Sequence, residues 1–241
     1  SFMVNVVNVN DAPVFAASSA NVSIAEKTDV STIIYTASAT DADGESLTYS
    51  LSGIDASLLN VDASSSVVTL KAPADYETKK QYFFTVTASD GELTDALDVT
   101  LDVTDVNDDP VVTSSAVTMI NEDAAYSYTF TASDVDAGDT PTLRAETTPD
   151  WLSFDAGTGV LSGTPSNDDV GDHSVVLRAT DASSAYEEQS FTVTVSNVND
   201  DPVVTSSAVT TINEDAAYSY TFTASDVDAG DTPTLRAETT P

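Results

Sequence analysis

Aspartate, glutamate and asparagine return along this chain at short, matching intervals. Asn8, Asn10 and Asp11 lie in "NVNDAP", Asp105, Asn107, Asp108 and Asp109 in "DVNDDP", and Asn197, Asn199, Asp200 and Asp201 in "NVNDDP". Between the first two of these hexamers fall Glu26, the pair Asp41 and Asp43, the pair Asp75 and Glu77, and Asp90. Between the second and third fall Glu122, Asp134 with Asp136, Asn167 with Asp169, and Asp181; Asp226 and Asp228 follow the third. These side chains offer hard oxygen donors. They are accompanied by no cysteine and by a single histidine, His173. An all-oxygen set selects Ca²⁺ over zinc or copper. Calcium takes about 6–8 oxygens in flexible geometry, backbone carbonyls included, which suits an irregular linker better than the tight octahedron of Mg²⁺. Acidic loops are commonly just solvated loops, but here the same residue types recur at matching places in successive stretches.

The charge balance sharpens the question. Lys and Arg number 7 against 40 Asp and Glu, a formal net charge of −33. Such a surface is repelled by nucleic acid and by anionic lipid, so neither is expected as a partner. A hydrophobic content of 41% is enough to build a core and argues against a disordered acidic chain. With no cysteine, disulfide frameworks and thiol chemistry are excluded. No apolar run has the length of a membrane-spanning helix, so direct membrane insertion is not expected of this stretch.

The elements that must hold these residues are strands. "STIIYTASA" at 31–39, "QYFFTVTAS" at 81–89 and "LDVTLDVTDV" at 97–106 alternate apolar and polar residues and are rich in Thr, Val, Ile, Phe and Tyr. "AYSYTFTAS" at 125–133, "HSVVLRAT" at 173–180 and "SFTVTVSNV" at 190–198 do the same. Turn signals such as Asp43-Gly44 and Asp90-Gly91 separate them. Residues 109–149 recur at 201–241 with one difference, Met119 against Thr211, and "SFMVNVVNVNDAPV" at the start lines up with "SFTVTVSNVNDDPV" at 190–203. Internal repetition of this kind reports tandem units. We read residues 1–7 as the last strand of a preceding repeat, 8–104 and 105–196 as whole units, and 197–241 as the truncated first part of a third. About seven short strands per unit of roughly 90–100 residues is the pattern of an all-β, immunoglobulin-like sandwich. The 197–241 piece holds material for few of those strands, so it is expected to leave its core faces uncovered.

In a sandwich, loops at alternate turns share one end. Glu26 and the Asp75–Glu77 loop should then lie at the end from which the chain leaves, and Asp41, Asp43 and Asp90 at the end where it enters. Two units stacked end to end would bring Glu26, Asp75, Glu77, Asp105, Asn107 and Asp108 towards Asp134, Asp136 and Asp181. Like charges about 4 Å apart repel by roughly 1 kcal/mol in water and more where water is excluded, so such a joint requires cations.

At this point a family resemblance is plain. "AEK" at 25–27, "DAD" at 41–43, "DYE" at 75–77 and "DVNDD" at 105–109 resemble the xEx, DxD, DRE and DxNDN motifs of cadherin repeats, in the family's order. "INED" at 120–123, "WLSFDAGTGVLSGTP" at 151–165 and "NVND" at 197–200 resemble the dystroglycan-type cadherin-like branch. The resemblance implies Ca²⁺ at each junction, stiffening tandem domains of a large adhesin-type protein at a cell surface or in secreted form, with a bacterial source. It implies no enzyme. Its departures are Asn8 and Asn197 where the central linker has Asp105, and Asn167 with Asp169 where a DRE motif would stand. The central junction is accordingly expected to bind calcium best. Homophilic contact with like domains on other cells, or carbohydrate binding through an exposed aromatic row, are the other partner classes. "DADGES" at 41–46 and "DVDAGD" at 134–139 begin like EF-hand loops, but their glycines are misplaced and no helix follows. Trp151 is expected in the core, His173 at an exposed surface position, and Arg144, Arg178 and Arg236 in rim ion pairs.

Overall fold

A computed structural model describes residues 2–239; Ser1, Thr240 and Pro241 lie outside it. Two structural units divide after Asn107, and each is taken by itself.

The first unit holds β1 (Val14–Phe15), β2 (Ser19–Ala25), β3 (Tyr35–Thr36), β4 (Ala39–Thr40), β5 (Thr48–Ser52), β6 (Leu59–Val61), β7 (Val67–Leu70), β8 (Gln81–Ser89) and β9 (Thr94–Thr104). Strands β2-β9-β8-β5 form one sheet and β3-β7-β6 the other, with a two-residue ladder of β1 and β4 beside them. β2 runs parallel to β9, and the other pairings are antiparallel. Alternation drives the packing: on β8, Tyr82, Phe84, Val86 and Ala88 point inward, as do Leu97, Val99, Leu101 and Val103 on β9. They meet Val68 and Leu70 of β7 and Leu59 of β6 in one core. Asp55 is the charged group set into this wall; its carboxylate accepts from the Phe83 N–H at 2.8 Å and pairs with Lys79 at 2.9 Å.

Residues 2–13 form no strand, so the strand expected over 1–7 is absent from its described part, and Phe2, Met3, Val4 and Val6 are exposed. A strand requires a neighbour for its backbone groups, and none pairs with this segment among the described residues.

The second unit repeats the plan. It holds β10 (Val111–Val112), β11 (Met119–Asn121), β12 (Tyr126–Thr129), β13 (Ala132–Ser133), β14 (Thr142–Thr147), β15 (Leu152–Asp155), β16 (Val160–Gly163), β17 (Gly171–Thr180) and β18 (Tyr186–Ser196). Its sheets are β11-β18-β17-β14 and β12-β16-β15, with β10 paired to β13 and β11 parallel to β18. Tyr126, Tyr128 and Phe130 of the first half pack on Leu152, Leu161, Val175, Leu177 and Val193 of the second. Seven strands in two sheets therefore make each sandwich, and the added two-residue ladder seats the incoming chain: Pro13 and Pro110, just before β1 and β10, are fully buried.

Beyond β18, among the described residues, only β19 (Val203–Val204) and β20 (Ala224–Ser225) pair, the counterpart of the β10–β13 ladder. Tyr218 is 55% exposed and Phe222 40%, against 2% for Tyr126 and 0% for Phe130 at the matching positions. The uncovered core face expected for this piece is thus present.

Candidate cation-binding clusters

The linker hexamers and the DxD turns meet in the same way three times. In each turn the first aspartate accepts the N–H of the second, Asp41 from Asp43 at 2.8 Å, Asp134 from Asp136 at 2.9 Å and Asp226 from Asp228 at 3.0 Å. This is the local side-chain turn that aspartate favours two residues ahead of a backbone donor. The second aspartate then accepts the N–H of the linker aspartate: Asp43 from Asp11 at 2.8 Å, Asp136 from Asp108 at 2.9 Å, Asp228 from Asp200 at 2.7 Å. Three copies of one hydrogen-bond relay show that the motif itself sets this geometry. Around the first copy Asn8 donates to Asp43, and Asn10 to Asp90 at 3.0 Å. Two backbone donors, Leu93 and Glu92, hold the Asp90 carboxyl below its ordinary range. For Asp43 the Asp11 N–H and the Asn8 amide do the same, against partial burial and the Asp90 charge.

At the opposite end of each sandwich a glutamate follows the strand that runs parallel to the last one. Glu26 is almost wholly buried, and its oxygens accept from the Val106 N–H at 2.9 Å and the Tyr76 N–H at 2.7 Å. Burial opposes its ionisation, but these two donors, with Lys27 and Glu77, leave its carboxyl below the ordinary range. Asp75 turns its oxygens to the N–H and hydroxyl of Thr78, which lower its carboxyl too. Asp105 and Asn107 are exposed.

Glu122 repeats this with one difference. Its Oε1 accepts from the Val198 N–H at 2.5 Å, but Oε2 is buried with no hydrogen-bond partner. In place of a DYE loop stands a short 3-10 turn, Asn167–Asp169, where Asp169 is spent on a capping box with Ser166. Asn167 reaches out and donates to Asp200 at 2.8 Å. Asn199 folds back on the Asp200 carbonyl, and Asp109 and Asp201 are exposed.

Glu122, Asp200 and Asp228 bring one carboxylate oxygen each to within 4.8 Å of one another. Glu122 is 2% and Asp228 6% exposed, and Asp228 Oδ1, like Glu122 Oε2, has no partner. An unpartnered buried carboxylate oxygen is costly unless something positive meets it. The donor set therefore fits a divalent, oxygen-seeking cation.

Two further groupings lie beside the DxD turns, Asp134 with Asp139 and Asp181, and Asp41 with Glu45 and Asp90. Glu45 and Asp139 lie late in "DADGES" and "DVDAGD", outside the motifs that mark the other acidic residues. Partial burial and the charges of Asp90, Asp41, Asp43 and Glu92 push the Glu45 carboxyl up. Asp139 accepts from the Ala182 N–H, and Asp181 from the Ala185 N–H at 2.7 Å.

Trp151 packs edge-on against Tyr126 and His173, and His173 is only half-buried and bonds the Asp169 carbonyl at 2.6 Å. The exposed site expected for His173 is replaced by this seat against the indole. Arg178 pairs with Glu146 and Glu188, Arg144 with Glu146, and Arg236 with Glu238. In the two sandwiches the exposed aromatic residues are Phe83 and Tyr186, one to each, and they form no row. No helix among the described residues is long and apolar enough to cross a membrane.

Comparison with known proteins bears on the fold of both sandwiches. Residues 20–104 match the Cadherin domain family, and residues 109–196 match the family described as Putative Ig domain. The chain is 32% identical over 216 residues to the human cadherin EGF LAG seven-pass G-type receptor 2, covering 83% of this chain and 7% of that one. It is 32% identical over 185 residues to the Drosophila melanogaster protein dachsous, covering 70% of this chain and 5% of that one. It thus spans a small part of the length of these relatives. Mouse cadherin-23 EC22-24 superposes with a TM-score of 0.60 at 22% identity, over 90% of this chain and 77% of that one. Human protocadherin-24 EC1-2 does so with a TM-score of 0.55 at 23% identity, over 80% of this chain and all of that one. The fold is that of cadherin-like tandem β-sandwiches.

Proposed function

We propose that this stretch is a calcium-binding repeat region of an extracellular adhesion protein, in which Ca²⁺ at the linkers stiffens successive domains. The observation that carries the reading is the Glu122, Asp200 and Asp228 cluster with its two unpartnered buried oxygens. A cation there would join the sandwich (Glu122) to the linker (Asp200) and to the following DxD turn (Asp228). The recurrence of the DxD relay at the other two linkers supports the same role for Asn10 with Asp11, Asp41, Asp43 and Asp90, and for Asp108 with Asp134, Asp136 and Asp181. For the central linker, Glu26, Asp75, Glu77, Asp105, Asn107 and Asp109 are proposed as donors from their places in the sequence motifs. The relatives named above are cadherin-type proteins, which supports a non-enzymatic role in adhesion, a place outside the cell, and contact with like domains. Carbohydrate binding is not proposed, because the sandwiches lack the aromatic row that stacks on sugar rings. The test is calorimetric titration of the full chain with CaCl₂ beside small-angle scattering in CaCl₂ and in EDTA. Saturable uptake with a longer, narrower scattering profile in calcium is expected. No uptake, or the same dimensions in both, defeats the proposal.

A further inference from the structure

Lys27 follows Glu26 directly and holds a left-handed backbone, φ 59°, as Asp123 (57°) and Asp215 (61°) do at the matching positions. Its N–H bonds the Ala74 carbonyl as the Asp123 N–H bonds that of Pro165, so the two sites share a backbone and differ in side chain. Lys27 Nζ donates to the Val106 carbonyl at 3.0 Å and the Asn107 carbonyl at 3.3 Å, and lies 4.0 Å from Glu26 Oε1. Linker carbonyls converging with a carboxylate are oxygens of the kind a divalent cation takes. Here an ammonium already holds them, in a chain with 7 cationic side chains against 40 anionic ones.

Resting on the calcium reading above, we propose that Lys27 is a tethered counter-cation that holds the Glu26 end of the first sandwich to its linker without metal and competes with Ca²⁺ for it. Where Asp123 stands instead, no such charge is supplied and Glu122 keeps an unpartnered oxygen. Asp136 Oδ1 and Asp228 Oδ1 are both buried without a partner, so the two linkers are alike at their DxD turns and differ at the glutamate end: the one after Glu26 is ordered by lysine and bound to calcium more weakly, the one after Glu122 depends on calcium. This reverses the ranking that Asp105 alone suggests.

The full chain is the sample, with Lys27→Asn, which removes the charge but tolerates a left-handed backbone, and Lys27→Arg, which keeps the charge. The Val106 amide, hydrogen-bonded to Glu26, is the local reporter in NMR. In EDTA its hydrogen exchange should speed up about tenfold in Lys27→Asn and little in Lys27→Arg. In a CaCl₂ titration followed at the same amide, Lys27→Asn should bind roughly fivefold more tightly than wild type, the size of one exposed ion-pair term. Calcium binding weakened or unchanged in Lys27→Asn overturns the inference. Calcium taken up nowhere in the wild-type chain overturns the functional reading as well, while the exchange rates in EDTA still report whether Lys27 holds the linker.

Discussion

Replacing Glu122 by Gln isolates the charge of the best-formed cluster, because the two side chains are nearly isosteric and the bond from the Val198 N–H is retained. Glu122, Asp200 and Asp228 each place an oxygen within 4.8 Å of the others. At an effective dielectric near 20, each like pair at that distance repels by about 3.5 kcal/mol, and Glu122 takes part in two pairs. Asp200 is half-exposed, so screening and small outward movements leave about 1–2 kcal/mol. Without metal, Glu122→Gln should therefore raise the stability of the second sandwich, by about 4–8 °C per kcal/mol in a domain of this size. In CaCl₂ the order should invert, since the variant loses a charged ligand while wild type gains the ion. Trp151 is the one tryptophan of the chain and lies in this sandwich, so its fluorescence reports melting of that domain alone. A variant that melts lower than wild type in EDTA, or gains as much from calcium as wild type does, would refute the argument.

Asp55→Asn should cost the first sandwich about 2 kcal/mol at neutral pH, because a buried partner of Lys79 and of the Phe83 N–H loses its charge. Burial works against the charged form of Asp55, but the Phe83 N–H and Lys79 outweigh it and its carboxyl is lowered. Its contribution is thus present above the ordinary aspartate range and lost as pH falls through the lower folded value, so urea midpoints of wild type and variant should converge as pH falls below the ordinary aspartate range. Phe130→Ala should remove about 3–5 kcal/mol from the second sandwich, whereas Phe222→Ala, in identical local sequence, should shift the Trp151 melting curve by less than about 0.5 kcal/mol.

Much of the site was legible before any fold was known. The aspartates of DAD and DVD make their own turns, so their spacing alone predicts a shared geometry, and the three relays are superimposable in kind. Glu26 and Glu122 were legible from the "AEK" and "INED" motifs that carry them. Glu45 and Asp139 were not, since what recruits them is the fold of their loop against Asp90 and Asp181, many residues away in the chain. Asp169, like Asp75, meets a hydrogen-bond partner three residues away, a local bond that its residue type and position alone do not reveal. Nothing in the position of Lys27 beside Glu26 specifies that its side chain reaches the Val106 and Asn107 carbonyls; the path of the linker decides that.

The repeated segment separates the two levels of information most sharply. Alternation, turn residues and the DxD relay are properties of local sequence, and residues 200–239 keep the relay and the β19–β20 ladder that they share with 108–147. The strands β11, β12 and β14 form from the earlier copy and have no counterpart in the later one, although Met119 and Thr211 alone distinguish the sequences. A strand is paid for by a partner for its hydrogen bonds and a covered apolar face. Residues 150–196 supply both to the first copy, through β15 to β18, and only tertiary structure could decide which copy receives them.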